Sequence, residues 1–299
     1  MFGNDYDVKS MERLLGGAQK HTFLVRCKNG FSFVAYKWDS KTSYFEQDKN
    51  ALFCSSSAEL FESNNHLMKD NGVITPELYF MDRTKTEQNY DYAFVEYIDG
   101  HDMDYITANQ KERLPAVLDS LNSSIEKLHG IKSETAGQAG KMLPADFKME
   151  NYILDGMIKN KNFLQEHDAE YKQYYESAFE KAKEYALNFS KRNFYTFIHA
   201  ELGPNHVMVN KNNEAYLIDI EGAKFSDVEE ELSFLDMRFE KRIYNPPVDM
   251  DLNRMSFYHI MHCLSNLRGA VELKEKNYYD MDDINQMLNF FHEEFKRGF

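Results

Sequence analysis

The sequence lacks the features of several common classes of protein. Its three cysteines, Cys27, Cys54 and Cys263, are odd in number, far apart and without C-x-x-C spacing, so neither a disulfide framework nor a zinc site is indicated. No apolar run approaches the ~20 residues of a membrane helix. The opening residues, MFGNDYDVKS, have neither the basic start nor the apolar core of a signal peptide. We therefore expect a cytoplasmic protein without a membrane partner.

Positive charge is also scarce. The 299 residues include 35 Lys and Arg against 49 Asp and Glu, and the formal net charge is −14 at pH 7. Because no basic stripe is available to displace phosphate counterions, we expect no nucleic-acid partner. A cationic small molecule is compatible with this charge, although many cytoplasmic proteins are as acidic merely for solubility. The oligomeric state is not indicated.

Two common nucleotide-binding motifs are absent as well. Neither G-x-x-x-x-G-K-S/T nor G-x-G-x-x-G occurs, and the chain has no internal repeat. P-loop and Rossmann folds are therefore not expected. The hydrophobic fraction of 42% is enough for the core of one large domain or of two lobes.

The most informative stretch is residues 197–220, FIHAELGPNHVMVNKNNEAYLIDI. Two runs rich in β-branched and aromatic residues flank a turn-rich KNNE, which is typical of a β-hairpin. A hairpin here would bring the carboxylates before and after it close together. Polar side chains interrupt both runs, namely His199, Glu201, Asn205, His206 and Asp219.

A phosphoryl-transfer site would account for this polar set, because that chemistry consists mostly of positioning and charge neutralisation. It needs one side chain beside the attacking hydroxyl, and oxygen or nitrogen ligands on the metal that bridges the phosphates. We assign Glu201 to the hydroxyl, and His206 and Asp219 to Mg²⁺. A polar hairpin edge without chemistry is the alternative that stays open at this point.

The runs HAELGPNHVMV and LIDIEGAKFSDVEEELSFL resemble the catalytic and metal loops of the aminoglycoside phosphotransferase family, part of the protein-kinase-like superfamily. That family usually has H-G-D-x-x-x-x-N, then I-D. His199 and Asp219 match, which implies a catalytic role for His199 beside Glu201. Glu201 replaces the catalytic Asp of the family, and His206 replaces its metal-binding Asn.

The two departures have different implications. His206 is similar to the branch that contains aminoglycoside 2″-phosphotransferases and macrolide kinases, and imidazole is an acceptable metal ligand. Glu201 leaves two interpretations, an active small-molecule kinase or a nucleotide-binding protein with slow or lost transfer.

The N-terminal part resembles the nucleotide-binding lobe of the same family. GGAQKHTFLV is similar to its opening G-G-x-x-N-x-T-Y-x-V, so Gly16 and Gly17 are assigned to the phosphates of ATP or GTP. Lys37 ends the alternating run Phe33, Ala35, Lys37 and takes the place of the lysine that holds the α- and β-phosphates. A snorkelling lysine at a strand end is the other interpretation.

A helical pattern in residues 44–71 is expected to carry the carboxylate partner of Lys37. Glu62 is the first choice and Glu59 the second, from their distance to the segment GVITPELYF; ordinary surface glutamates are the alternative. The run YDYAFVEYIDG then predicts a strand and a hinge. Its backbone would meet the purine edge at Glu96, Tyr97 and Ile98.

Strands come first and helices later, which predicts an α+β fold. The resemblance implies a two-lobe protein-kinase-like architecture, with a small antiparallel sheet in a nucleotide-binding lobe of residues 1–98 and a larger helical lobe of residues 99–299 for catalysis and substrate. It also implies transfer of the γ-phosphoryl group of ATP or GTP to a hydroxyl of a small molecule. An aminoglycoside, a macrolide and a choline-like alcohol are all compatible with the sequence.

An acidic run follows the metal loop. Asp227 falls at the later acidic place of the family pattern, and Glu229, Glu230 and Glu231 come directly after it. These glutamates have two interpretations, a helix N-terminus favoured by the macrodipole or the rim of a pocket for an amino-sugar.

Overall fold

The structure, a computed structural model, describes residues 5–14, 20–39, 52–54, 56–239, 250–278 and 280–299. These residues form two compact units. The first comprises the described residues of Met1–Met142 and Thr196–Ser226, and the second those of Leu143–Tyr195 and Asp227–Phe299. The lobe boundary predicted at residue 98 lies inside the first unit, so a division there stays a prediction. In the described ranges, no helix has the length and apolarity needed to cross a membrane.

The strands lie in the first unit, with the start of β10 at its border. They are β1 (Val8–Leu14), β2 (His21–Cys27), β3 (Ser32–Trp38), β4 (Leu78–Asp82), β5 (Asp91–Glu96), β6 (Gly100–Asp102), β7 (Lys132–Ser133), β8 (Gly137–Gln138), β9 (Lys141–Met142), β10 (Tyr195–Ile198), β11 (Val207–Asn210), β12 (Ala215–Leu217) and β13 (Lys224–Ser226).

The helices divide between the units. The first unit contains α1 (Ala58–Asp70), α2 (Met103–Asn109) and α3 (Leu114–Gly130). The second contains α4 (Met149–His167), α5 (Lys172–Ala186), α6 (Val228–Arg238), α7 (Leu252–Glu275) and α8 (Met281–Arg297). An antiparallel sheet in the N-terminal region and helices in the C-terminal region confirm the predicted α+β class.

The N-terminal sheet has five antiparallel strands in the order β1-β2-β3-β5-β4. Successive side chains of a strand point to opposite faces, so the two faces of β3 differ. On one face, the rings of Tyr36 and Trp38 pack against Phe61 of α1, with centroids 5.4 and 5.6 Å apart. On the other face, Phe33 packs against Phe94 of β5 at 5.0 Å. One face therefore meets the helix and the other is covered by aromatic rings.

The predicted hairpin is formed by β11 and β12, and its register pairs Val207 with Leu217. The first run of the informative stretch does not belong to it entirely, because β10 pairs with β13 in another sheet. Strand β6 completes the hairpin sheet on the other side of β11. Gly100 permits this pairing, because a Cβ atom there would lie 1.9 Å from the Val209 carbonyl oxygen.

Candidate active site

Two loops of the first unit carry the polar residues predicted from the sequence. One loop follows β10 and ends in a 3₁₀ turn at Pro204–His206; the other follows β12 and contains the 3₁₀ turn Ile220–Gly222. The backbone amide of Ile218 donates to the His206 carbonyl oxygen at 3.0 Å and joins the loops. Ala200, with φ of 73°, and Asp219, with φ of 60°, have left-handed backbone conformations. Such strain is typical of functional sites.

His206 and Asp219 are held face to face. The Nδ1–H of His206 donates to the Glu201 carbonyl oxygen at 2.7 Å, which leaves the Nε2 lone pair free. That Nε2 lies 3.5 Å from Asp219 Oδ2, a long distance for a hydrogen bond. Mg²⁺ ligands lie about 2.0–2.1 Å from the ion, so one ion can reach both atoms. The two side chains therefore fit the metal that the sequence predicts.

No group of three or more His, Cys, Asp and Glu side chains with a metal-binding arrangement occurs in the described part of the chain. A Mg²⁺ ion that binds together with a nucleotide uses one or two protein ligands, because phosphate oxygens and water supply the others.

Glu201 lies beside this pair. A Cβ atom placed on Gly222 would be 3.8 Å from Glu201 Oε1, so the carboxylate lies next to the loop that follows β12. Solvent reaches the side chain. Even so, desolvation by the surrounding protein, reinforced by the Asp219 carboxylate, raises the pKa of Glu201 to about 7. A carboxylate with a pKa near neutrality is well suited to act as a general base.

His199 is buried beneath the two loops. Its Nε2–H donates to the carbonyl oxygen of Ile218, the residue before Asp219, at 2.9 Å. Burial, together with the nearby His206, lowers the pKa of His199 to about 4, so its imidazole is neutral at pH 7. The sequence assigned His199 to catalysis, and this role stays a prediction; in the structure its imidazole is closed to solvent and binds the backbone of the loop that follows β12.

Three residues without a predicted role lie beside these side chains, namely Lys20, Trp38 and Glu221. Lys20 Nζ donates to Asp219 Oδ1 and to Glu221 Oε1, at 2.6 Å each, and its side chain is only 8% exposed. Trp38 Nε1 donates to the same Glu221 oxygen at 3.2 Å. Burial alone would lower the pKa of Lys20, but the Asp219 and Glu221 carboxylates outweigh it and raise this pKa. Lys20 is therefore a permanent cation.

Lys37 lies elsewhere. Its Nζ is 3.1 Å from Asp39 Oδ2 and 4.2 Å from the Tyr90 ring centroid. The predicted ion pair with Glu62 is not formed, because Glu62 binds Arg83 at 3.0 Å. The physical reason is strand alternation, since Tyr36 and Trp38 point to α1 and Lys37 points away from it. Glu59, the second choice, also lies near Arg83, at 3.7 Å.

The other predicted nucleotide-binding residues are placed as follows. Gly16 and Gly17 lie outside the described residues. Glu96 ends β5, where its backbone amide donates to the Glu77 carbonyl oxygen at 2.9 Å. Tyr97 and Ile98 then connect β5 to β6, and so connect the N-terminal sheet to the hairpin sheet. Contact of these three residues with a purine stays a prediction.

One signal in the sequence pointed to Lys20. In GGAQKHTFLV, Lys20 stands at the Asn place of the pattern G-G-x-x-N-x-T-Y-x-V. A charged residue at that place, directly before β2, is a departure of the same kind as Glu201 and His206. Glu221 had no comparable signal, because a glutamate beside a turn is ordinary on a protein surface.

The solved structures confirm the fold. Aminoglycoside phosphotransferase APH(4)-Ia superposes with a TM-score of 0.67 at 15% identity, covering 98% of this chain and 95% of its own. A variant of aminoglycoside 2'-phosphotransferase-IIIa in complex with GDP gives 0.64 at 17% identity, covering 99% and 94%. Spectinomycin phosphotransferase APH(9)-Ia, in complex with ADP and spectinomycin, gives 0.59 at 12% identity, covering 96% and 90%.

Of the two sequence comparisons, one finds a match and the other does not. No curated protein matches this sequence. A sequence profile does match, over residues 29–249, and this range includes the hairpin, both loops and most of the N-terminal sheet. The profile describes phosphotransferase enzymes and covers well over half of the chain. The chain therefore belongs to the phosphotransferase enzyme family.

Proposed function

We propose that the protein is a small-molecule kinase that transfers the γ-phosphoryl group of ATP or GTP to a hydroxyl group. The observation that carries this proposal is the pair His206 and Asp219, whose facing Nε2 and Oδ2 atoms lie 3.5 Å apart beside Glu201. A metal ligand pair next to a carboxylate of raised pKa is the arrangement that phosphoryl transfer to a hydroxyl requires.

Each residue has a separate role in the reaction. His206 and Asp219 would hold Mg²⁺, which would offset the negative charge of the phosphates. Glu201 accepts the proton of the substrate hydroxyl. The hydroxyl oxygen forms a bond to the γ-phosphorus while the bond to the β–γ bridging oxygen breaks, and the nucleoside diphosphate leaves. His199 keeps the metal loop in place through the Ile218 carbonyl oxygen.

The acceptor is proposed only as a class. Family members with this fold include enzymes named for aminoglycosides and for spectinomycin. The net charge of −14 agrees with a cationic acceptor of that kind. A macrolide and a choline-like alcohol remain members of the same class of hydroxyl substrate.

Glu201 supports a second candidate function. A glutamate is one methylene longer than the aspartate usual at this place, and a misplacement of ~1 Å can cost ~10²-fold in rate. A protein that binds nucleotide but transfers slowly, or no longer transfers, would contain the same metal ligands. The two candidates differ in product formation and agree in nucleotide binding.

The deciding experiment measures phosphorylated product by mass spectrometry. Wild type and Glu201→Gln are incubated with Mg²⁺ and either ATP or GTP, and with aminoglycosides, macrolides or choline as acceptor. A product formed by wild type and reduced in Glu201→Gln supports the kinase. Nucleotide binding without any product supports the second candidate, and an absence of metal-dependent nucleotide binding contradicts both.

A further inference from the structure

We propose that Lys20 is the lysine that binds the nucleotide phosphates, and that Glu221 is the carboxylate that positions it. The inference rests on the proposed function. The sequence favours Lys37 for phosphate binding and Glu62 as its carboxylate partner. We place these two roles instead directly before β2 and in the loop that follows β12.

The position of Lys20 supports its assignment to the phosphates. Its Nζ is 2.6 Å from Asp219, the proposed metal ligand, so a phosphate bound to the same metal would lie within its reach. An ammonium has three N–H donors, and among the described residues two of these are used, on Asp219 and Glu221. The third donor can bind an anion. A phosphate oxygen can also replace Asp219 as an acceptor when that carboxylate binds metal.

Lys37 cannot take this phosphate-binding role, because it lies on the wrong face of strand β3. The face of β3 that meets α1 is occupied by the aromatic residues Tyr36 and Trp38, both buried. Lys37 lies on the opposite face, with Asp39 and the Tyr90 ring. A rotation of its side chain does not change the face of the strand, because the direction of Cβ is fixed by the backbone. Lys20, directly before the neighbouring strand β2, lies over the Tyr36 ring at 4.8 Å and so reaches the face that Lys37 does not.

Glu221 has the environment of a positioning carboxylate. It is 2% exposed, and its Oε1 accepts from both Lys20 and Trp38. A buried carboxylate beside a lysine fixes the ammonium more firmly than an exposed glutamate, because the low-dielectric surroundings strengthen the pairing. Helix α1 contacts this segment through Asn64, whose Nδ2 donates to the Ile220 carbonyl oxygen at 2.8 Å. In the described residues, the partner of Lys20 is thus supplied by the metal loop and not by α1.

The test compares Lys20→Met with the matched control Lys37→Met. Calorimetry measures the binding of ATP or GTP with Mg²⁺, and of the corresponding nucleoside without phosphates. A hydrogen bond between charged groups contributes about 1.5–3 kcal/mol, so Lys20→Met should weaken nucleotide binding about 10- to 100-fold. Nucleoside binding should not change, and Lys37→Met should bind nucleotide within about twofold of wild type.

Trp38 provides a second readout, because it is the only tryptophan of the chain and its indole N–H binds Glu221. Mg²⁺–nucleotide should change its fluorescence in wild type and in Lys37→Met. Glu221→Gln should reduce the change, since the neutral amide holds both Lys20 and the indole less firmly.

The outcomes separate the two proposals. If wild type binds no nucleotide, the proposed function and the Lys20 assignment both fail. If wild type binds nucleotide and Lys20→Met binds it equally well, only the Lys20 assignment fails. A loss of nucleotide affinity in Lys37→Met overturns the assignment without any result from Lys20→Met, which keeps the test decisive even if Lys20→Met folds poorly.

Discussion

Each compact unit contains a cluster in which carboxylates meet cationic side chains, and the two clusters differ in how completely their carboxylate oxygens are paired. The loop cluster, in the first unit, consists of Lys20, Glu201, His206, Asp219 and Glu221. The helix cluster, in the second unit, consists of Arg192, Asp227, Glu229, Arg254 and Tyr258.

In the helix cluster every carboxylate oxygen has a donor. Asp227 Oδ1 accepts from Arg192 at 3.1 Å, and Oδ2 accepts from the Tyr258 hydroxyl at 2.9 Å and from Arg254. Glu229 accepts from Arg192 and from the backbone amide of Asp251. Asp227 and Glu229 are both buried at the start of α6. Removal of one member would therefore leave a buried charge without its partner.

The loop cluster is less complete. Glu221 Oε2 is buried without a hydrogen-bond partner among the described residues, and Asp219 keeps 39% of its side chain exposed. Asp219 also has a left-handed backbone conformation. All carboxylate oxygens of the helix cluster thus have donors, whereas in the loop cluster one carboxylate oxygen has none among the described residues and the backbone is strained.

Burial decides between the two interpretations of the acidic run at the start of α6. Glu229, Glu230 and Glu231 are 0%, 3% and 0% exposed, and all three lie in the first turn of α6. Buried side chains cannot form the rim of a pocket. The structure therefore supports the helix N-terminus, where the macrodipole favours negative charge.

The largest expected change in stability is in the helix cluster. Asp227→Asn leaves Arg192 and Arg254 without their shared carboxylate, and breaking a buried ion pair costs about 3–5 kcal/mol. Asp219→Asn is the matched control and should cost less, since Asp219 is partly exposed and Glu221 still pairs with Lys20 in the variant. Urea denaturation of both variants measures the free energies of unfolding. Equal losses would contradict the distinction between the clusters.

The effect of the same two variants on Mg²⁺-dependent nucleotide binding should be the reverse, large for Asp219→Asn and small for Asp227→Asn. Asp219→Asn loses a metal ligand, so its Mg²⁺–nucleotide affinity should fall at least about 10-fold, or about 1.4 kcal/mol. Asp227→Asn, studied well below its unfolding temperature, should keep the increase in affinity that Mg²⁺ gives to wild type. Calorimetry with and without Mg²⁺ measures both. Nucleotide affinity indifferent to the metal in wild type would remove the basis of the loop cluster.

The smallest expected effect concerns backbone strain in the loop cluster. A left-handed conformation costs an L-residue roughly 1–2 kcal/mol, so Ala200→Gly should stabilise the fold by about 0.5 kcal/mol after the entropy of glycine is subtracted. Ala223, with φ of −60°, is the control. Ala223→Gly should destabilise the fold by about 0.5–1 kcal/mol or more, because it adds chain entropy and leaves a cavity. If both substitutions change the free energy of unfolding in the same direction, the backbone of Ala200 carries no strain.

The hairpin and the proximity of His206 and Asp219 could be predicted because their signals are local. KNNE between two β-rich runs indicates the turn, and β11 and β12 pair accordingly. The facing of His206 and Asp219 follows from that pairing, because the amide of Ile218 binds the carbonyl oxygen of His206.

The pairing of Lys20 with Glu221 could not be predicted from local signals of this kind. Alternation in β3 shows that Ala35 and Lys37 share a face, but it does not show which face meets α1. That choice depends on packing with Phe61, a tertiary contact. Glu62 pairs with Arg83, which follows β4, and no local pattern connects these two residues.

Glu201 decides whether the loop cluster performs chemistry or only binds nucleotide. The measurement is the single-turnover rate of wild type, Glu201→Gln and Glu201→Asp at saturating Mg²⁺–nucleotide, with the best hydroxyl acceptor found. General-base catalysis contributes ~10²–10⁴-fold, so Glu201→Gln should lose that much rate while its nucleotide affinity stays unchanged. Glu201→Asp should retain transfer. A Glu201→Gln variant as fast as wild type would contradict the base role, and transfer by Glu201→Asp alone would show that the natural protein is a nucleotide-binding protein.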